Sequence, residues 1–187
     1  MLRPLGPVPI LRGLPTWSPL NTTNDLTRDW AKQFPALDLS SLVPLTRLAR
    51  LGVLIEAFQQ DVLAGFELTP NDYGVLAALQ NAGRPHSLNP SQLYARLRRS
   101  SGGMTKILKR LEASGCVERT PDPEDGRGMR VTLTPRGRAL YERVFHAFVA
   151  ASHHVLDPLS LAQKGEIDHA LKQLLNTLEG SSDERDV

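Results

Sequence analysis

The stretch NPSQLYARLRRSSGGMTKILKRLEASGCVERTPDPEDGRGMRVTLTPRG, from Asn89 to Gly137, decides the fold of this chain. Asn89 is placed to cap a helix, Pro90 falls where a missing N–H costs nothing, and Gln92 is placed to bond back to the cap. Leu93 and Leu97 mark that helix's apolar face. Ser100 or Ser101 then caps a second helix running to Ser114, with Ile107, Leu108 and Leu111 inward and Thr105, Lys106, Lys109 and Arg110 on the outer faces. Gly115 ends it. Two short helices a few residues apart, the second opening with small polar and basic groups, form the arrangement that lays a recognition helix in the major groove of DNA.

Cys116 to Arg119 reads as a strand and Met129 to Leu133 as its partner, with Met129, Val131 and Leu133 alternating to one face. Pro121 to Gly128 lies between them as a projecting loop, since its two prolines cannot donate to a ladder and Gly126 and Gly128 permit positive φ. Arg127 sits between those glycines at the tip, positioned to enter a minor groove, and Asp125 is placed to hold its guanidinium.

Leu111 to Arg119, Asp122 to Arg127 and Val131 to Arg138, in that order and spacing, resemble the MarR family of bacterial transcriptional regulators, and the similarity runs from about Leu42 to Leu178. The Asp-Gly-Arg tip followed at a fixed distance by Leu-Thr-Pro-Arg-Gly is the specific part. The resemblance implies an obligate homodimer that binds a palindromic operator in double-stranded DNA and is released by a small aromatic or phenolic ligand. Ser101, Thr105 and Lys106 are the candidates for base-edge contacts, and Ser91, Gln92, Lys109 and Arg110 for phosphates. Gly102 and Gly103 stand where many relatives carry larger polar residues. Each costs a helix about 1 kcal/mol relative to alanine, which points to close approach of the backbone to DNA or to specificity resting on fewer side chains.

Charge is distributed to match. Between Arg84 and Arg138 twelve basic residues face five acidic ones, a surplus of seven in a chain whose net charge is +2, so the remainder carries a deficit of five. A basic segment on an otherwise acidic body is the footprint of a nucleic-acid-binding face. The single cysteine excludes an internal disulfide and fits a reducing cytoplasm. No run approaches the roughly 18 apolar residues of a membrane span.

The expected architecture is mainly α with a small β-hairpin wing, a winged helix-turn-helix dimerised through its N- and C-terminal helices. Residues 1–24, with five prolines before Leu20, form an arm. Residues 25–68 supply N-terminal dimerisation helices: a short one over Asp25 to Phe34 and a long one from Ser40 or Ser41 through Phe66, striped by Leu45, Leu48, Leu51, Leu54, Ile55, Phe58 and Val62. Residues 69–135 form the DNA-binding lobe, opened by a capped helix at Thr69-Pro70-Asn71-Asp72 that carries Tyr73, Val75, Leu76 and Leu79. Residues 136–180 supply C-terminal dimerisation helices, one from Thr134-Pro135 with Leu140, Val144, Phe148 and Val155 inward, the next capped by Ser160 and Gln163. Residues 181–187 form a polar tail. The terminal helices carry more apolar face than a lobe of this size covers, which a dimer interface accounts for and an intrachain bundle also would.

The N-terminal helix with Trp30 is similar to the urate-responsive branch of the family. That resemblance implies a ligand site made by Trp30 and Arg119, but Gly74 and Ile107 stand where the branch has an aspartate and a second arginine. Trp30 has ordinary packing on the long helix as its other explanation. Cys116 reads as a buried thiol. His153, His154 and Asp157 are close in sequence, but the adjacent histidines point to different helix faces and a fourth ligand is lacking, so no metal or cofactor is expected, and His86 and His169 read as surface residues. No nucleophile motif, phosphate loop or metal spacing indicates an enzyme. A winged-helix module for protein contact, or an architectural DNA binder without a small-molecule signal, remains the other class these residues allow.

Overall fold

Helix caps written into the sequence set the starts of four helices. The structure, a computed structural model, describes residues 23–97, 101–122 and 128–183. Helix α1 spans Thr23–Gln33 and α2 spans Leu42–Ala64. Ser41 is the N-cap residue of α2 but makes no side-chain cap bond, so the helix expected from Ser40 or Ser41 through Phe66 runs from Leu42 to Ala64, with Pro44 in its first turn. Helix α3, Pro70–Asn81, has a complete capping box: Thr69 Oγ1 accepts from the Asp72 N–H, and Asp72 Oδ2 accepts from the Thr69 N–H at 2.8 Å.

Strand β1 (Ser87–Leu88) follows, then α4 (Pro90–Leu97) and α5 (Ser101–Ala113), the two helices of the helix-turn-helix. Asn89 and Gln92 cap α4 reciprocally at 2.8 and 3.0 Å. Gly115 takes a φ of 69°, the left-handed cap that ends α5. Strands β2 (Val117–Pro121) and β3 (Met129–Leu133) form the base of the wing.

The sheet corrects the sequence-based expectation twice. Its order is β1-β3-β2, antiparallel throughout, so a third strand of two residues joins the hairpin through Ser87 opposite Thr132 and Leu88 opposite Val131. Pro121, expected in the loop, is the last rung of β2 opposite Met129. It lies on an outer strand, where the missing N–H breaks no ladder bond. The expected contacts of Asp125 and Arg127 fall outside the described residues, as do most of the N-terminal arm and a possible cap at Ser100.

One core holds the lobe together. Val75, Leu76 and Leu79 of α3, Leu93 of α4, Met104, Ile107, Leu108 and Leu111 of α5, and Val117, Val131 and Leu133 of the sheet form a single buried cluster. At about 2–5 kcal/mol for each leucine cut back to alanine, these contacts dominate the stability of the lobe. Cys116 is buried in the same cluster, as expected.

Helix α6 spans Pro135–Leu156 and α7 spans Leu161–Asp183, the latter extending three residues into what the sequence reads as tail. Ser160 and Gln163 cap α7 reciprocally. The chain divides into two compact units, one ending at Ala147 and the other beginning at Phe148. In the first, α2 buries only Val62 and Leu63, while Leu42, Leu45, Leu51, Val53 and Ile55 remain exposed. In the second, Val149, Val155, Leu161, Ile167, Leu171, Leu175 and Leu178 are exposed, so Val155 is not inward as its spacing suggests.

Candidate nucleic-acid interface

Helix α5 is two-sided. Met104, Ile107, Leu108 and Leu111 face the core at 0–7% exposure, and the intervening Thr105, Lys106, Lys109 and Arg110 are exposed. The spacing that buries one stripe obliges the other to face solvent. Ser101 and Gly102 open the helix, and Gly103 is exposed in its first turn. Ser91 and Gln92 are exposed at the start of α4, where the Gln92 amide oxygen is engaged by the cap.

Arg110, expected at a phosphate, is engaged within the chain. Its Nε donates to Asp72 Oδ1 at 3.0 Å, and its Nη2 donates to Asp72 Oδ1 and to Thr69 Oγ1. Asp72 is 1% exposed and Arg110 46%. A carboxylate that deep needs a cation and several donors, and the first turn of α3 together with Arg110 supplies them. The guanidinium thus ties the recognition helix to the start of α3. The partners are 38 residues apart in sequence, and no local signal announces the pair.

The wing base has a second such pair. Asp122, 7% exposed, accepts two hydrogen bonds from Arg130 Nη2 at 3.2 and 3.3 Å, and its own N–H donates to the Gly128 carbonyl. Two chain ends that carry the wing are therefore fastened where they leave the sheet.

His86, read from sequence as a surface residue, is half-buried with a φ of 61°. Its ring Nδ1 lies 3.2 Å from the Gln80 carbonyl, and its own carbonyl accepts from Leu133. It shapes the turn that delivers β1 to β3.

Trp30 and Arg119 are both partly buried, on α1 and β2, but neither lines the cavity at the base of the recognition helix or the one between α1 and the start of α2. The Arg119 Nε is buried without a hydrogen-bond partner among the described residues. The two departures from the urate pattern acquire a physical reason here. Ile107 is a core residue 7% exposed, where an arginine would bury its charge, and a β-carbon on Gly74 would press against Leu97 at 3.3 Å.

Among the described residues no cluster of three metal-ligating side chains occurs, and no helix is long and apolar enough to cross a membrane.

A model of the MarR family matches residues 66–128, from the loop after α2 to the residue before β3. The HTH-type transcriptional regulator PecS of Dickeya dadantii is 30% identical over 141 residues, which cover 75% of this chain and 85% of PecS. The chain belongs to the MarR family. Among solved structures, a mutant MarR from E. coli complexed with operator DNA is 25% identical with a TM-score of 0.60, over 75% of this chain and 99% of that one. BpsR of Bordetella bronchiseptica, whose DNA binding is regulated by 6-hydroxynicotinic acid, is 25% identical with a TM-score of 0.50, over 67% of this chain and 98% of that one. The MarR-family lobe matched by the family model contains both Asp72 and Arg110. A MarR-family member is a DNA-binding transcriptional regulator.

Proposed function

We propose that this chain is a homodimeric repressor that binds a palindromic operator and is released by a small aromatic or phenolic molecule. The observation that carries the DNA half is the division of α5, which commits one stripe to the core and presents Thr105, Lys106 and Lys109 outward from a buried scaffold. Thr105 and Lys106, with Ser101 and Gly102 at the helix start, take the base edges. Ser91, Lys109 and the Gln92 amide nitrogen take phosphates, which fix register and supply salt-dependent affinity. Arg110, 46% exposed, takes a phosphate as well while its bonds to Asp72 hold the helix that makes these contacts. Arg127 reaches the flanking minor groove, steadied by Asp125.

Dimerisation is supported by the exposed leucine, valine and isoleucine faces of α2 and α7, which a monomer would leave in water. A two-fold dimer places its recognition helices about 34 Å apart, one turn of duplex. The aromatic effector is supported by BpsR, and the expected roles of Trp30 and Arg119 in holding it gain no support from the two cavities described above. The protein would act in the cytoplasm.

The test is fluorescence anisotropy of the purified protein on DNA from around its own gene, at two salt concentrations with scrambled competitor, followed by a panel of aromatic acids and purines. Selective binding that weakens steeply with salt, and is lost in Arg127→Ala, is the expected result. Equal affinity for scrambled DNA would replace the operator-specific repressor with an architectural binder, and no affinity at all would point to protein contact.

A further inference from the structure

The outer part of the wing hairpin stands on two strands. Strand β1 supports β3 at Thr132 and Val131 and reaches no further. Beyond it, among the described residues, β2 and β3 are joined only to each other, by the rungs Thr120–Arg130 and Pro121–Met129 and by the bond from the Asp122 N–H to the Gly128 carbonyl at 2.9 Å. A two-stranded ribbon twists more than a wider sheet and is marginal by itself in water. Residues 123–127, with Arg127 among them, connect the two ends of that ribbon.

The Asp122–Arg130 pair lies across this part. Thr120 faces Arg130 in the register, so Asp122, two residues on, is its diagonal neighbour on the same face, a spacing that long side chains span. Asp122 is 7% exposed, and Arg130 Nη2 donates to both its oxygens at 3.2 and 3.3 Å. Taking a carboxylate and a guanidinium out of water costs about what their attraction returns, so a pair this deep adds little to stability over an apolar pair of the same size. What distinguishes it is direction. Two hydrogen bonds to one carboxylate hold the end of β2 against β3 in a single arrangement, whereas apolar contact is non-directional.

We propose that Asp122 and Arg130 are positioning residues for DNA reading, which set the twist of the outer ribbon and so aim Arg127 at the flanking minor groove; this rests on the minor-groove role proposed above for Arg127. That groove is about 6 Å wide, so a guanidinium entering it depends on its angle of approach, and a narrow A·T-rich groove attracts it most. Asp122, an almost buried anion, has nothing to offer a phosphate, so its effect on DNA passes through the wing.

The test is anisotropy of wild type, Asp122→Asn, Arg127→Ala and the double variant on the segment that the protein protects in DNA from around its own gene, flanked by A·T or by G·C pairs. Circular dichroism establishes that each variant is folded at the assay temperature. Asp122→Asn removes a negative charge, so electrostatics alone would tighten binding. The expected result is the opposite: weakening by about fivefold or more on A·T flanks, loss of the preference for them, and less than about twofold further effect once Arg127 is alanine. Arg130→Met, which breaks the pair from the other side and carries the comparison if Asp122→Asn does not fold, should also lose the flank preference and its coupling partner in Arg127→Ala. A merely structural role would weaken binding equally on both flanks and in both backgrounds. Unchanged or tighter binding by folded Asp122→Asn, or equal losses with and without Arg127, overturns the inference and leaves Arg127 in the groove. Arg127→Ala that binds both flanks like the wild type removes the minor-groove reading, and the inference with it.

Discussion

The backbone of Gly137 runs so close to the Cys116 carbonyl that a β-carbon at residue 137 would meet that oxygen well inside van der Waals contact, and the Leu133 Cδ1 at 2.8 Å. Around this approach Thr134 sews α6 to the end of α5. Its hydroxyl donates to the Gly115 carbonyl at 2.7 Å and accepts from the Gly137 N–H at 3.0 Å, and its N–H donates to the Cys116 carbonyl. The Leu-Thr-Pro-Arg-Gly run is thus a joint, with Thr134 as cap, Pro135 at the first helical position and Gly137 as the clearance. Gly137→Ala should cost about 3 kcal/mol or more, because the obstacle is backbone and cannot rotate away. Urea denaturation followed by circular dichroism measures it, and an unchanged midpoint would show that α6 shifts freely.

Cutting Asp122 back to alanine removes two hydrogen bonds from Arg130 and should cost about 1–3 kcal/mol. Arg130→Met in the same chain should add less than its own single-substitution cost, since the two side chains share the bonds that are lost. A double-mutant cycle checks it; strictly additive costs would mean that the pair contributes nothing to the fold.

Tyr73 stacks on Tyr141 at 5.7 Å, and Tyr141 on Phe145 at 6.1 Å. Burial, reinforced by the neighbouring Tyr141 phenol, pushes the Tyr73 hydroxyl up from 10.0 to about 12. The folded state therefore holds this proton more tightly than the unfolded chain. The resulting stability is fully present below pH 10 and is lost as pH rises through about 12. Alkaline titration of tyrosine absorbance should show a late-ionising group that Tyr73→Phe removes, along with the corresponding slope in stability. A tyrosine spectrum that finishes titrating near pH 10 would refute it.

Lys109→Ala should weaken specific and scrambled DNA alike and reduce the salt slope by about 1, whereas Lys106→Ala should lower selectivity between sequences. Anisotropy titrations across salt concentrations tell the two apart; equal loss of selectivity in both variants would make the assigned roles wrong.

Local signals in the sequence were sufficient for most of this fold. Asn89 with Gln92, Thr69 with Asp72, and Ser160 with Gln163 are all three residues apart, and each appears as a reciprocal cap. What escaped notice depends on distance or on backbone shape. Two residues of β1 carry no periodicity of their own and become a strand only because β3 offers an open edge. Asp122 sits in a loop-like run of prolines and acids, and only Arg130 across the hairpin turns it into a buried anchor. Arg110 has the exposure of a DNA contact but a partner 38 residues away. His86 owes its role to a positive φ that its side chain does not announce.

Asp72 closes the cap of α3 with one oxygen and holds Arg110 with the other. The two tasks therefore share an evolutionary fate. A lineage that replaces Asp72 by asparagine keeps an acceptor for the cap but loses the charge on which Arg110 rests, and one that replaces Arg110 leaves a deep carboxylate unpaired. Positions 69, 72 and 110 should consequently drift as one unit among descendants of this chain, while Thr105 and Lys106, a turn earlier on the same helix, remain free to change as operators change.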